Sequence, residues 1–266
     1  MDGGAHGFSR RQVDILALLR QAGRVSVEEL AGQFEVSPQT IRRDLNELAE
    51  ARAITRVHGG AMVASGVANL AYDARKLVAH APKRLIGEAA ARLIPDNSSL
   101  FLNLGTTTEE VAHALAGRSG LLVVTNNLHV ANELYRNRAI EVVITGGSIR
   151  PNDGGVVGAS SVELIRRFRV DTAVIGVSAI DDVGALLDFD IREVHVSRAI
   201  IEQARRVVLV TDSSKFARTA PAVIGTLDDV DVLVTDQLPS PAVADLCARH
   251  GVQVIEAGGA YETDSG

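Results

Sequence analysis

The chain has no tryptophan, one cysteine and few aromatics: three tyrosines and six phenylalanines among 266 residues. Its core must therefore be aliphatic and alanine-rich, and a hydrophobic fraction of 46% is enough to build a substantial one. A single cysteine, Cys247, excludes an intrachain disulfide and fits a reducing cytosol. It shares a helical pattern with Val243 and Leu246, so a buried structural thiol is expected. No apolar run approaches membrane-spanning length, and no basic stretch followed by an apolar core opens the chain. A cytoplasmic location with no membrane partner is the expectation. An excess of positive charge is missing too. The net charge is −6, and residues 1–60 hold eight arginines, no lysine and eight acids, so they are neutral (8 − 8 = 0). This excludes a strongly basic domain and leaves room only for a local basic face. Arg42, Arg43, Arg52, Arg56 and His58 cluster after the acids Glu28, Glu29 and Glu35.

What is present is most informative at residues 37–50. Ser37 suits a helix N-cap and Pro38 the first helical position. Ile41, Leu45 and Leu48 recur at helical spacing and bury one stripe. Gln39, Thr40, Arg42 and Arg43 then crowd the start of the helix, where a purely structural helix would favour acids. Such side chains suit a major groove: arginine bonds guanine edges, glutamine bonds adenine edges, and all bond phosphates. An ordinary small helical bundle is the alternative; the short turn Glu35-Val36-Ser37 between two helices favours the DNA-reading one.

The flanking residues supply the rest of the unit. Ser9 to Gln12 and Ser26 to Glu29 both read as capping boxes, opening two earlier helices. Residues 53–63 hold two short β-prone runs around His58-Gly59-Gly60, a hairpin. Three helices and a hairpin make a winged helix-turn-helix over residues 1–63. Residues 1–8 read as a flexible lead-in, 64–82 as a linker and 259–266 as a disordered tail.

From 83 to 258 aliphatic runs alternate with amphipathic helices. The runs lie at 100–104, 121–125, 142–145, 173–177, 207–211, 232–235 and 252–256. The helices lie near 84–94, 108–116, 128–136, 160–168, 190–205 and 241–249. The alternation predicts an α/β domain with a largely parallel sheet. Several loops after strand ends carry polar groups, and ligands of open α/β sheets bind there. Gly105-Thr106-Thr107-Thr108 follows a strand and opens a helix, which suits an anion, phosphate above all; a plain βα turn capped by Thr107 is the alternative. Asn126-Asn127, Gly146-Gly147 with Arg150, and Asp212 to Lys215 form three further loops. Each has an ordinary reading as a turn, a backbone requirement or a solvated charge. His113, His129, His195 and His250 have no metal-ligand spacing, so neither metal nor cofactor is expected.

Val36-Ser-Pro-Gln-Thr-Ile-Arg-Arg-Asp-Leu-Asn-Glu-Leu48 followed by Arg56-Val-His-Gly-Gly-Ala61 resembles the N-terminal domain of the DeoR family of bacterial transcriptional regulators. The resemblance continues through residues 105–115, 124–132, 152–158, 186–190 and 214–216, nearly the whole chain. It implies that the third helix enters the major groove and that His58-Gly59-Gly60 is the wing. Arg42 and Arg43 become the leading DNA contacts, with Gln39, Thr40 and Ser37 beside them and Arg56 and His58 on phosphate. It implies that the larger domain is similar to ribose-5-phosphate isomerase, reused as a sensor. Asn103, Gly105, Thr106, Thr107, Thr108, Asn126, Asn127, Gly147, Arg150 and Lys215 become the effector residues. A phosphorylated sugar or polyol is the implied effector, glycerol 3-phosphate first. Two positions depart from the family: Asn103 stands where many members have Asp, and Ser197 where Lys is usual. Arg198 is the candidate replacement for that Lys, but as the next helical residue it points about 100° away.

The expected function is a homodimeric or homotetrameric repressor, not an enzyme, that leaves operator DNA when its effector binds. The rival is a sugar-phosphate isomerase with an appended DNA-binding domain. Proton transfer would need an ionisable group beside the phosphate loop, and Asn103 and Ser197 offer none.

Overall fold

The computed structural model describes residues 8–22, 24–50, 53–57, 59–63, 72–77, 79–216 and 218–258. The expected lead-in (apart from Phe8), the tail, most of the linker and His58 lie outside those residues. The chain divides into two compact units, Met1–His80 and Ala81–Gly266.

In the first unit, α1 (Arg10–Ala22) starts at a reciprocal cap. Gln12 N–H donates to Ser9 Oγ at 3.2 Å and Ser9 N–H to Gln12 Oε1 at 2.8 Å. A short strand β1 (Arg24–Ser26) leads directly into α2 (Val27–Gln33). Ser26 and Glu29 close the second capping box there. The turn to α3 (Pro38–Glu50) passes through Glu35, whose φ of +52° is left-handed despite its side chain. β2 (Ile54–Val57) and β3 (Gly60–Val63) form the expected hairpin, and β1 adds a third antiparallel strand in the order β1-β3-β2. That third strand was not foreseen. It explains Gly60, where a Cβ would lie 2.1 Å from the Val25 carbonyl oxygen. Ile15, Leu16 and Leu19 of α1, Leu30 of α2, and Ile41, Leu45 and Leu48 of α3 form one aliphatic core with Ile54 and Ala61 of the hairpin. The helix α4 (Tyr72–Leu77) completes the described part of this unit.

The second unit runs α5 (His80–Arg92), β4 (Ser99–Leu102), α6 (Thr106–Leu115), β5 (Leu121–Thr125), α7 (Leu128–Leu134) and β6 (Ile140–Ile144). It continues through β7 (Ser148–Ile149), β8 (Val156–Val157), α8 (Ala159–Ile165), β9 (Val170–Ile175), β10 (Ala179–Ile180) and β11 (Ala185–Asp188). It ends with α9 (Ile191–Glu202), β12 (Ala204–Val210), β13 (Ala222–Thr226), β14 (Val232–Thr235), α10 (Pro241–Arg249) and β15 (Gln253–Glu256). Seven of these strands form one parallel sheet in the order β15-β14-β12-β9-β4-β5-β6. Each of the seven aliphatic runs falls on one of them. The runs are continuous, not alternating, because both faces of the sheet are covered. Ile86 of α5, Val111 and Leu115 of α6, and Val130 and Leu134 of α7 pack on one face. Ile165 of α8, Val196 and Ile200 of α9, and Leu246 and Cys247 of α10 pack on the other.

The strand order carries the functional geography. The chain enters the sheet at β4, moves outward to β5 and β6, and returns to β9 on the other side of β4. It then moves outward in the opposite direction. Connections therefore diverge between β4 and β9, which makes a crevice at the carboxyl ends of those strands. Two small antiparallel sheets, β10-β11-β13 and β7-β8, are built from the segments beyond the main strands.

Candidate nucleic-acid interface and effector site

The start of α3 presents the residues that sequence reading singled out. Ser37 Oγ accepts the Thr40 N–H at 3.2 Å and lies 2.9 Å from the Thr40 hydroxyl, so it caps the helix. Gln39, Arg42 and Arg43 are exposed and Thr40 is half-buried, while Ile41, Leu45 and Leu48 are sealed inside. The polar end lines an open groove that also includes Phe8 and Asn46, which the sequence did not suggest. The acids of α3 are already partnered. Asp44 is buried and takes a two-pronged contact from Arg11, and Glu47 takes Gln12 and Arg43. Arg42 has no hydrogen bond or ion pair among the described residues. Arg56 on β2 is half-buried, with Nη1 enclosed and lacking a hydrogen-bond partner among the described residues.

In the second unit, β4 delivers Asn103 to the switch point, fully buried. Its Oδ1 accepts the Leu104 N–H at 2.7 Å and its Nδ2 donates to Ser197 Oγ at 2.8 Å. The two positions noted as departures from the family thus touch each other. The Gly105–Thr108 turn corrects the expected Thr107 cap. Gly105 is the N-cap of α6, at φ +152°, and no side chain caps the helix. Thr108 Oγ1 instead turns back to the carbonyls of Asn103 and Gly105, at 2.7 and 2.8 Å. The hydroxyls of Thr106 and Thr107 have no partner among the described residues. Amide N–H groups at an uncapped helix start, with the positive end of the helix dipole, make an anion site.

Asn126 and Asn127 divide into two roles. Asn127 Oδ1 caps α7 by accepting from the His129 and Val130 N–H groups, at 2.8 and 3.4 Å. Its Nδ2 reaches Glu109 of α6 at 3.3 Å. Asn126 sits at the end of β5, beside the end of β4; it is fully buried, and its Oδ1 has no partner among the described residues. Gly147 is there for backbone geometry: at φ +143°, a Cβ would lie 2.5 Å from the Val157 carbonyl oxygen. Lys215 ends a 3-10 turn, Ser213–Lys215, after β12, which is two strands from β4.

Arg150 differs from both readings offered for it. It is neither a solvated charge nor an available cation. Its guanidinium is nearly enclosed and bonds Asp153 at 2.6 Å, Glu193 at 2.7 Å and Asp190 at 2.9 Å. Burial pulls the Arg150 pKa down, but Glu193, Asp153 and Asp190 outweigh it and hold the pKa above its ordinary value. Asp190 is held well below the usual carboxylate range, first by hydrogen bonds from Arg192 and, against burial, by Arg150. Sequence spacing hides this cluster, because two of its carboxylates lie 40 and 43 residues from Arg150.

No described helix is long and apolar enough to cross a membrane. Residues 11–67 match the DeoR-like helix-turn-helix domain, and residues 78–237 match the DeoR C-terminal sensor domain. The chain is 45% identical over 246 residues to the glycerol-3-phosphate regulon repressor of Escherichia coli (strain K12), covering 92% of this chain and 98% of that one. It is 47% identical over 235 residues to the glycerol-3-phosphate regulon repressor of Haemophilus influenzae, covering 88% and 92%. Ribose 5-phosphate isomerase A of Methanocaldococcus jannaschii is similar over 52% of this chain and 55% of that one, at 15% identity and a TM-score of 0.40. The chain belongs to the DeoR family of transcriptional regulators, with a DNA-binding helix-turn-helix unit joined to a sensor domain for a small-molecule effector.

Proposed function

We propose that the chain is a homo-oligomeric repressor that releases its operator when glycerol 3-phosphate occupies the start of α6. The names of the two repressors it resembles support that effector. One observation carries the choice of site: α6 begins uncapped at the carboxyl end of β4, where the crevice with β9 opens, and Asn126 at the end of the neighbouring β5 has an Oδ1 with no partner among the described residues. The phosphate takes the N–H groups and hydroxyls of Thr106, Thr107 and Thr108. Asn126 accepts from a hydroxyl of the polyol. Gly105 and Gly147 shape the backbone, while Asn103 and Asn127 hold the walls. Arg150 is assigned to the walls as well, since its donors already face carboxylates. Lys215 supplies distant positive charge.

On the DNA side, Ser37, Gln39, Thr40, Arg42 and Arg43 face the major groove and its phosphate edges, and Arg56 and His58 meet phosphate. Paired helix-turn-helix units match half-sites about 34–36 Å apart, which calls for a dimer or tetramer. Effector binding then acts by favouring a subunit arrangement whose recognition helices fit the operator poorly. The isomerase reading finds no support at the Asn103–Ser197 pair, because two neutral groups bonded to each other move no proton.

The test is direct. A duplex selected by the wild-type protein from a random-sequence pool is titrated with and without glycerol 3-phosphate, ribose 5-phosphate and inorganic phosphate. Glycerol 3-phosphate is expected to weaken binding most. If none of the three changes affinity, the sensor assignment fails. Sedimentation of a monomer at working concentration overturns the oligomer. Turnover of ribose 5-phosphate that is lost in Thr107→Ala restores the enzyme reading.

A further inference from the structure

The two adjacent arginines at the start of α3 are prepared differently. Arg42 is exposed and has no partner among the described residues. Arg43 is equally solvent-facing, with 82% of its side chain exposed, yet its Nε donates to Glu47 Oε1 at 3.0 Å. An isolated surface pair of this i,i+4 type is weak and fluctuating, about 0.3–0.5 kcal/mol. This one is anchored from a second helix. Glu47 Oε2 accepts from Gln12 Nε2 at 2.6 Å, and Gln12 is buried. The Gln12 Oε1 in turn accepts the Ser9 N–H at 2.8 Å. The carboxylate is therefore fixed through Gln12 to the capped start of α1. Arg43 uses only its Nε on it, and both terminal nitrogens of the guanidinium fork are unengaged among the described residues. A guanidinium held by Nε and open at the fork matches the O6 and N7 acceptors of guanine in the major groove.

We infer that Glu47 is a positioning residue, which pre-sets Arg43 to read a guanine edge, while unanchored Arg42 supplies a phosphate contact without base preference. This rests on the reading of α3 as the DNA-reading helix. The two arginines then differ in what they contribute. Arg43 should set sequence preference, and Arg42 should set general affinity and salt dependence. Pre-ordering also suits a domain with no net positive charge, because specificity there cannot be carried by bulk attraction.

The experiment compares wild type, Glu47→Ala, Glu47→Gln, Arg43→Lys and Arg42→Ala. Each is measured on the duplex selected by wild type and on a scrambled duplex, across a salt series, and each then selects from the random pool. Thermal melts confirm that each variant folds. Glu47→Ala and Arg43→Lys should lower the ratio of selected to scrambled affinity about tenfold and lose one preferred guanine per half-site. Glu47→Gln should fall between, since an amide oxygen can still accept from Arg43 but without charge. Arg42→Ala should weaken both duplexes alike and reduce the salt slope by about 0.9. The inference is overturned if Glu47→Ala keeps the wild-type base preference, or if it tightens both duplexes equally through lost negative charge. Failure of the wild type to select any sequence would instead overturn the reading of α3 itself.

Discussion

Asn103 donates a 2.8 Å hydrogen bond to Ser197, tying the end of β4 to α9 with almost no solvent access to either residue. A charged pair at this depth would face a large desolvation cost, whereas a neutral amide and hydroxyl satisfy each other locally. The contact fixes the strand end from which the Gly105 turn departs.

Ser197→Ala should leave Asn103 Nδ2 without an acceptor, at a cost of about 1–3 kcal/mol. Chemical denaturation should show it as an earlier midpoint with an unchanged slope. An unchanged midpoint would mean that Nδ2 has found another acceptor.

Thr107→Val separates folding from sensing. The buried Thr107 hydroxyl makes no hydrogen bond among the described residues, so replacing it by a methyl group of similar size should not lower stability. Under the proposed function, the glycerol 3-phosphate concentration needed to release DNA should rise about tenfold, roughly the loss of one hydrogen bond to a charged group. A variant released at the wild-type concentration would remove that hydroxyl from the site.

Arg150→Met should be the most damaging change in the second unit. It leaves Asp153, Asp190 and Glu193 close together without their shared cation, and breaking such a buried set costs about 3–5 kcal/mol. The effect depends on pH. Because Asp190 titrates below its ordinary value, its pairing stabilises the fold above the unfolded pKa, about 3.9, and that stabilisation fades as pH falls through the lower folded value. In the variant Asp190 keeps Arg192 but loses Arg150, so less of that stabilisation remains. The difference between wild type and variant should therefore be widest near neutrality and shrink below about pH 4. Denaturant midpoints at several pH values test this, and a constant difference would contradict it.

Gly60→Ala should injure the first unit alone. Its Cβ would strike the Val25 carbonyl oxygen, so β1 and β3 must part. DNA affinity should drop and protease cleavage should rise within residues 24–63. The melting of the second unit should be unchanged.

What could be read from the sequence was local or periodic. The boxes at Ser9–Gln12 and Ser26–Glu29 close within four residues, so the chain announces them without its fold. The seven sheet strands are legible because burial on both faces demands unbroken aliphatic runs. β1 was hidden because it is only three residues long and its last, Ser26, reads as the cap of α2. β10, β11 and β13 are short, and their pairing is decided by distant partners. Thr107 looked like a cap because hydroxyls favour that place; Gly105 takes it because the backbone there needs φ +152°. Arg150 was misjudged because one arginine in a glycine-rich loop does not reveal carboxylates from another part of the chain.

Cys247 sits at 0% exposure on the buried face of α10, and burial pushes its thiol pKa up. To a thiol-directed dye the native protein is thus nearly silent. A cysteine introduced at Asn46, on the exposed side of α3, would be the one fast-reacting group in each copy. Under the proposed function, a fluorophore there would report the spacing of the α3 helices within the oligomer, and its change with effector, with no cysteine-free background to build first.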